Sequence, residues 1–306
     1  MLYDIIIVGG GPAGLTAAIY ARRNGKSVLV LEKEGFGGQI AYAPRVENYP
    51  GVSSIQGSEL AERMLSQALE LNAETDIGTV YAVEDRDGIK RVRTQEGEEY
   101  TGRCVIIAAG ARHRRLELPG EGELTGRGVS YCAVCDGGFY AGGTVAVAGG
   151  GDSALQEALL LSDICRTVYV IHRRDEFRGD TEKQKRLFAR ENVRAVTPMN
   201  IVALEQSGGD LTGVRLRHAL TGAEQLLNVD ALFISVGQVP ELGEFANVLP
   251  LTADGYADLE EGGIAPAPGI FAAGDCRRKT VRQLTTAVAD GAFAALNACR
   301  YLDMVP

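Results

Sequence analysis

Tryptophan is absent from this chain of 306 residues, and histidine occurs only three times. Long hydrophobic runs are missing too. None approaches the ~20 successive apolar residues that a bilayer-spanning helix needs, so no membrane role is expected. Positive charge is in short supply: 31 Lys and Arg stand against 40 Asp and Glu, for a formal net charge of -9. That balance speaks against nucleic acid as a partner. Six cysteines are too few for a disulfide framework in a chain of this size. Four of them, Cys104, Cys165, Cys276 and Cys299, stand alone and read as buried, inert thiols. His113, His172 and His218 show no ligand spacing with the other two, so no metal site is expected. Met1-Leu2-Tyr3-Asp4 leads straight into an apolar strand, with no charged region or cleavage site of a signal peptide. A cytoplasmic location is the expectation.

Glycine, by contrast, is plentiful, at 39 residues. Asp4–Val8 reads as a buried parallel strand, and Gly9-x-Gly11-Pro12-Ala13-Gly14 opens a helix that runs to about Arg23. A second strand follows at Ser27–Leu31 and closes on Glu32. In such a strand–turn–helix unit, free N–H groups and the helix dipole can hold a pyrophosphate, and the acid can accept from a ribose hydroxyl. The unit recurs. Thr144–Ala148 is a strand, Gly149-x-Gly151-Asp152-Ser153-Ala154 the turn, Ser153 to about Ile164 the helix, and Thr167–Ile171 the next strand. His172-Arg173-Arg174 replaces the acid, and Arg178 follows one turn later. A ribose carrying a 2′-phosphate is repelled by Glu and held by Arg. The first unit therefore suits FAD, and the second suits NADPH rather than NADH.

Two further strands end in small residues: Cys104–Gly110, with Ala109-Gly110, and Gly269–Asp275, with Gly274-Asp275. The helix from about Arg282 to Tyr301 is rich in Ala and Gly. The predicted fold is α/β, with two Rossmann-like three-layer nucleotide-binding domains. The FAD domain comprises 1–112 and 243–306; the NADPH domain, 113–242, is inserted into it. Arg112–Pro119 and Val236–Gly243 are the expected connections.

Cys132-Ala-Val-Cys135-Asp136 lies in the inserted segment. Two intervening residues let a tight turn or a first helical turn bring the sulfurs together. Such a pair is a redox centre, a zinc half-site or a structural disulfide. A second C-x-x-C is missing, which disfavours zinc. Asp136 is placed to act as a general acid toward a departing thiolate, or simply to cap a helix.

Taken in order, these motifs resemble the low-molecular-weight thioredoxin reductases of bacteria, over essentially the whole chain. Gly37-Gly38-Gln39, Glu47-Asn48-Tyr49-Pro50-Gly51 and Arg282-Gln283 join the set. The resemblance implies bound FAD, NADPH as reductant, a homodimer, and thioredoxin or a thioredoxin-like protein as disulfide substrate. It places Gly38, Gln39 and Asn48 along the flavin, Gln283 beside Arg282 at its ring edge, and Ser153 at the NADPH pyrophosphate. It also assigns Cys135 to the flavin side and Cys132 to attack on the partner disulfide. The rivals are a dithiol oxidase, a reductase with another donor such as ferredoxin, and a nucleotide-binding redox sensor. The intact second turn and its arginines count against the first two.

Overall fold

The computed structural model describes residues 1–43, 45–260 and 262–305. The chain folds into two compact units, Met1–Arg112 with Val239–Pro306, and His113–Gln238. The chain leaves the first unit through a short strand, β7 (Ala111–His113), and returns through another, β16 (Gln238–Pro240), which pairs with it. The return falls at β16, ahead of position 243, because Leu242 and Phe245 are already buried in the core of the first unit.

In the first unit β1 (Leu2–Val8), α1 (Pro12–Arg23) and β2 (Val28–Glu32) form the expected strand–helix–strand. They are followed by α2 (Gly57–Glu70), β3 (Glu74–Ile77), β4 (Val80–Arg86), β5 (Ile89–Thr94), β6 (Glu99–Ile107) and β7 (Ala111–His113). Pro12 suits the first turn of α1, whose N–H would be unbonded in any case. Arg22 and Arg23 sit in its last turn, where they favour the dipole. β3, β2, β1 and β6 lie parallel in that order. β6 then divides. Its first half pairs antiparallel with β5, and its second half pairs parallel with β17 (Ile270–Ala272).

One face of this sheet is covered by α1, α2 and the closing helix α6 (Leu284–Met304). The other face is covered by β4, β5 and the segment around Leu242–Ala265. Ile5, Ile6 and Ile7 are fully buried between these layers, each burial worth about 1.5–3 kcal/mol. The small residues of α6 have a steric cause. A Cβ on Gly291 would lie 2.1 Å from the Ala13 carbonyl oxygen, so the helices approach at backbone distance.

The second unit contains β8 (Val129–Ser130), α3 (Ala133–Asp136), β9 (Thr144–Ala148), α4 (Asp152–Ile164), β10 (Thr167–Ile171), α5 (Thr181–Phe188) and β11 (Val193–Val196). After these come β12 (Met199–Ser207), β13 (Asp210–His218), β14 (Glu224–Asn228) and β15 (Ala231–Ile234); β16 (Gln238–Pro240) leads back. The order β11-β10-β9-β15-β8 is parallel throughout. Helices α3, α4 and α5 cover one face, and the antiparallel sheet β12-β13-β14 covers the other. Among the described residues no helix is long and apolar enough to cross a membrane.

Gly14 is the tightest position of the first turn: an added Cβ would lie 1.9 Å from the Gly9 carbonyl oxygen. Overpacking of this kind costs about 1–3 kcal/mol, and each kcal/mol lowers Tm by about 2–4 °C in a domain of this size. Gly14→Ala is expected to lower the melting temperature by roughly 5 °C or more in a calorimetric scan; an unchanged Tm would show that the turn can relax.

Candidate active site

The first glycine turn is held by contacts that admit no side chain. Gly9 has φ +107°, and its Cβ would sit 2.4 Å from the Ala108 carbonyl oxygen. That contact brings Ala108 and Ala109, at the end of β6, against the turn; Gly110 follows with φ +69°. Gly11 is uncrowded, the nearest atom to its Cβ position being Gly38 Cα at 3.8 Å. It is the N-cap of α1, and no side chain bonds to that terminus.

Glu32 is buried at the end of β2. Its Oε2 accepts from the Gly10 N–H at 2.6 Å and its Oε1 from the Glu34 N–H at 3.1 Å. Gly37 donates to the Gly10 carbonyl, so the loop bearing Gly38 folds back over the turn. Gln39 Nε2 donates to the Ala111 carbonyl.

Gly274-Asp275 arrives at the same place from the far end of the chain. A Cβ on Gly274 would lie 2.8 Å from Ala13 Cβ. Asp275 Oδ1 is buried without a hydrogen bond, facing Lys279 Nζ at 3.2 Å. Burial pushes its carboxyl upward, against the opposing pull of Lys279. Arg282 braces this turn by donating to the Asp275 and Arg277 carbonyls, and it lies over the Tyr256 ring at 4.2 Å. Gln283 is the N-cap of α6, in a capping box with Thr286, and its Oε1 accepts from Asn48 Nδ2 at 3.3 Å. Asn48 and Gln283, 235 positions apart, thus meet at the start of α6.

Sequence reasoning missed the groups that hold the turn in place. Asp290 on α6 accepts from the Gly274 N–H and Lys279 Nζ, both at 3.1 Å, and pairs with Arg277 at 3.0 Å. An acid midway along an Ala-rich helix carries no signal of such a task.

The second turn repeats the design. Gly149 has φ +153°, and its Cβ would lie 2.4 Å from the Ser235 carbonyl oxygen and 2.7 Å from Ala154 Cβ. Gly151 faces open space and begins α4 with no side-chain cap. Ser153 is exposed in the first turn of α4. The expected basic residues lie beside this turn because Arg178 and Gly179 both donate to the Gly150 carbonyl, at 2.7 and 3.1 Å. Arg173, Arg174 and Arg178 are exposed, and among the described residues none of their side chains has a partner.

His172 and Asp152 do different work. His172 is buried, its ring packed under Gly150 and stacked on Phe177 at 5.4 Å. Burial, followed by the charges of Arg178, Arg174 and Arg173, lowers its pKa, and its Nε2 has no partner. Asp152 Oδ1 accepts from the Asp180 N–H and Lys183 Nζ, each at 3.0 Å. It buckles the basic loop onto α4.

Cys132 and Cys135 form a disulfide, with Cα atoms 5.3 Å apart. Cys132 is the N-cap of α3, its carbonyl accepting from the N–H groups of Cys135 and Asp136. Ala133 is buried under the pair while Val134 is exposed between them. Cys132 is half-buried and Cys135 exposed. Asp136 precedes the 3-10 turn Gly137–Tyr140 but makes no capping bond to it; its Oδ2 instead accepts from Ser130 Oγ at 2.6 Å. Burial raises its pKa, and the Ser130 bond opposes the shift. The other four cysteines are free and buried. Burial pushes Cys104 up to about 12 and Cys276 to about 11. The pair is therefore where thiol chemistry can occur.

A disulfide at a unit's surface, in a chain with two open, uncapped glycine turns, defines a nucleotide-dependent disulfide oxidoreductase. The chain belongs to the pyridine nucleotide-disulphide oxidoreductase family, whose model matches residues 3–291. That membership implies flavin and nicotinamide cofactors. A thioredoxin reductase of Listeria monocytogenes serovar 1/2a is 42% identical over 302 residues, covering 99% of this chain and 94% of the relative. A bifunctional thioredoxin reductase/thioredoxin of Mycobacterium leprae is 42% identical over 304 residues, covering 98% of this chain and 66% of that protein. The crystal structure of thioredoxin reductase from Streptococcus pyogenes MGAS5005 is 38% identical, with a TM-score of 0.94 over 99% of each chain.

Proposed function

We propose that this protein is an NADPH-dependent thioredoxin-disulfide reductase that binds FAD at the first glycine turn and NADPH at the second. The observation that carries the reading is the Cys132–Cys135 disulfide in the unit that also bears the second turn and its three unpaired arginines. The relatives' names support thioredoxin as substrate; in the mycobacterial relative, reductase and thioredoxin share one name. A homodimer and a cytoplasmic location belong to the same reading.

The donor sets fit the cofactors. Gly9 and Gly14 would close the turn tightly, Gly11 would leave room, and the uncapped start of α1 at Pro12, Ala13 and Gly14, where Ala13 and Gly14 carry N–H groups, would take the flavin nucleotide's pyrophosphate. Glu32 would accept from its ribose, and Asp275, whose Oδ1 is ion-paired with Lys279, would accept from the nucleotide chain. Ala109, Gly110, Gly38, Gln39, Asn48, Gly274, Arg282 and Gln283 would frame the remainder. Gly149, Gly151, Ser153 and Ala154 would cradle the second pyrophosphate, with Arg173, Arg174 and Arg178 on the 2′-phosphate. The chemistry supplied by the bound cofactors is transfer of one electron pair from the nicotinamide to the disulfide.

The residues of the chain do the rest. As the Cys132–Cys135 bond opens, Cys132 leaves as a thiolate and takes a proton from Asp136. In the dithiol form Cys132 returns its proton to the Asp136 carboxylate, and the resulting thiolate attacks the partner disulfide, making a mixed disulfide and releasing one partner sulfur, which takes that proton. Cys135 then attacks Cys132 Sγ, re-forms the internal bond and releases the second partner sulfur. Two electrons and two protons pass to the partner.

The test is anaerobic mixing. NADPH should bleach the yellow protein, and oxidised thioredoxin should restore the colour with two thiols formed per NADPH consumed. Bleaching without recovery on adding thioredoxin would refute the substrate assignment. No bleaching by NADPH would refute the donor.

A further inference from the structure

We propose that Ser130 is a positioning residue for disulfide opening, joining the Asp136 carboxyl to the main chain of Cys132. The inference rests on the reading of Asp136 as proton donor. Ser130 ends β8, nearly inaccessible at 3% exposure, two residues before Cys132. Its Oγ donates to Asp136 Oδ2 at 2.6 Å and accepts from the Cys132 N–H at 3.1 Å. One hydroxyl so fixes the acid and the residue whose sulfur departs. Oδ1 of Asp136 has no hydrogen-bond partner among the described residues, so the bond to Ser130 leaves that oxygen to carry the proton.

The surroundings isolate this link. The neighbours of Gly137 on α4 are Leu160, Leu161 and Ile164, all apolar. From the 3-10 turn, Tyr140 is the titratable group that feels the Asp136 charge, and its own pKa is raised by burial. Among the described residues no Lys, Arg or His pairs with Asp136. Among the described residues the Ser130 hydroxyl is therefore the polar side chain that favours its ionised form, against burial, which favours the protonated one.

The direction of the effect follows. A donor bonded to the charged form lowers an acid's pKa, so its removal raises it. A proton donor works in its protonated form, and its rate falls as pH rises through its pKa. Without the Ser130 hydroxyl that falling limb moves to higher pH by about one unit, since hydrogen bonds to charged groups are strong enough for such a shift.

The experiment uses the holoenzyme with NADPH. Disulfide opening is followed in a single turnover by rapid alkylation of Cys132 and Cys135, counted by mass spectrometry across the pH range in which the protein is folded. Ser130→Thr and Ser130→Val form a matched pair of equal shape, one with the hydroxyl and one without. Ser130→Thr should keep the wild-type profile, and Ser130→Val should shift the falling limb upward. Asp136→Asn should lose that limb and open the disulfide at least ~100-fold more slowly. If Asp136→Asn removes the limb but both Ser130 variants leave it in place, Ser130 is not the positioning residue and the acid reading stands. If Asp136→Asn retains both limb and rate, both ideas are overturned.

Discussion

Cys132→Ser and Cys135→Ser should each lower thioredoxin reduction by roughly 10³-fold or more, because a nucleophile that acts within a unit cannot be partly replaced. The structure explains why no other thiol can substitute. Cys104, Cys165, Cys276 and Cys299 are buried, and burial raises the pKa of each. None offers an accessible thiolate at neutral pH. Hydride uptake from NADPH should survive in both variants, since the residues proposed to hold the nucleotides lie at the two glycine turns and not at the pair. The measurement is thioredoxin turnover beside anaerobic bleaching by NADPH. Near-normal turnover in either serine variant would remove the pair from the mechanism. Loss of bleaching in both would place the cysteines in nucleotide binding instead.

Much of the architecture was legible because glycine spacing and apolar strands are local signals. The strands 144–148 and 167–171 stand where the sequence predicts them. Steric demand is what makes these turns readable: Gly9, Gly14 and Gly149 meet backbone oxygens within 2.4 Å of any added Cβ. The hairpin β4–β5 and the sheet β12-β13-β14 were not anticipated. Their strands carry many charged, half-exposed residues, such as Arg91, Arg93, Arg215 and Arg217, paired with Glu across or along the sheet. Such strands lack the apolar runs that mark a buried strand.

The site was legible by residue type but not by task. Asp152 sits in the glycine turn and looks like a nucleotide contact; its carboxylate in fact ties Asp180 and Lys183 to α4. His172 occupies the register of Glu32, yet its ring fills the space under Gly150, with a Cβ there only 2.4 Å from Nδ1. Ser130 and Asp290 gave no signal at all. Their roles arise from contacts with residues that only the folded chain brings into reach: Asp290 with Gly274 across 16 positions, and Ser130 with Asp136 across the disulfide turn.

Neutralising Arg173, Arg174 and Arg178 together should erase the preference for NADPH over NADH. Each charge-assisted bond to a phosphate contributes about 1.5–3 kcal/mol, and ~1.4 kcal/mol is tenfold in affinity. These side chains are exposed, so solvent screening pushes each contribution toward the lower end. One Arg→Ala change should then raise the KM for NADPH about tenfold, and the triple change by a factor of ~100 or more. The loop should keep its place in every variant. It is anchored by main-chain bonds from Arg178 and Gly179 to Gly150, by the Asp152–Lys183 pair, and by a glycine at 179, whose Cβ would lie 2.4 Å from Leu155 Cδ1. The KM for NADH should therefore stay within about twofold of wild type, because that cofactor has no 2′-phosphate to lose. Salt gives a second readout: the wild-type KM for NADPH should rise with ionic strength and that of the triple variant should not. Equal use of NADH and NADPH by the unmodified protein would sink the assignment of these arginines. A triple variant that loses NADH activity to the same extent would show that they hold the loop and not the phosphate.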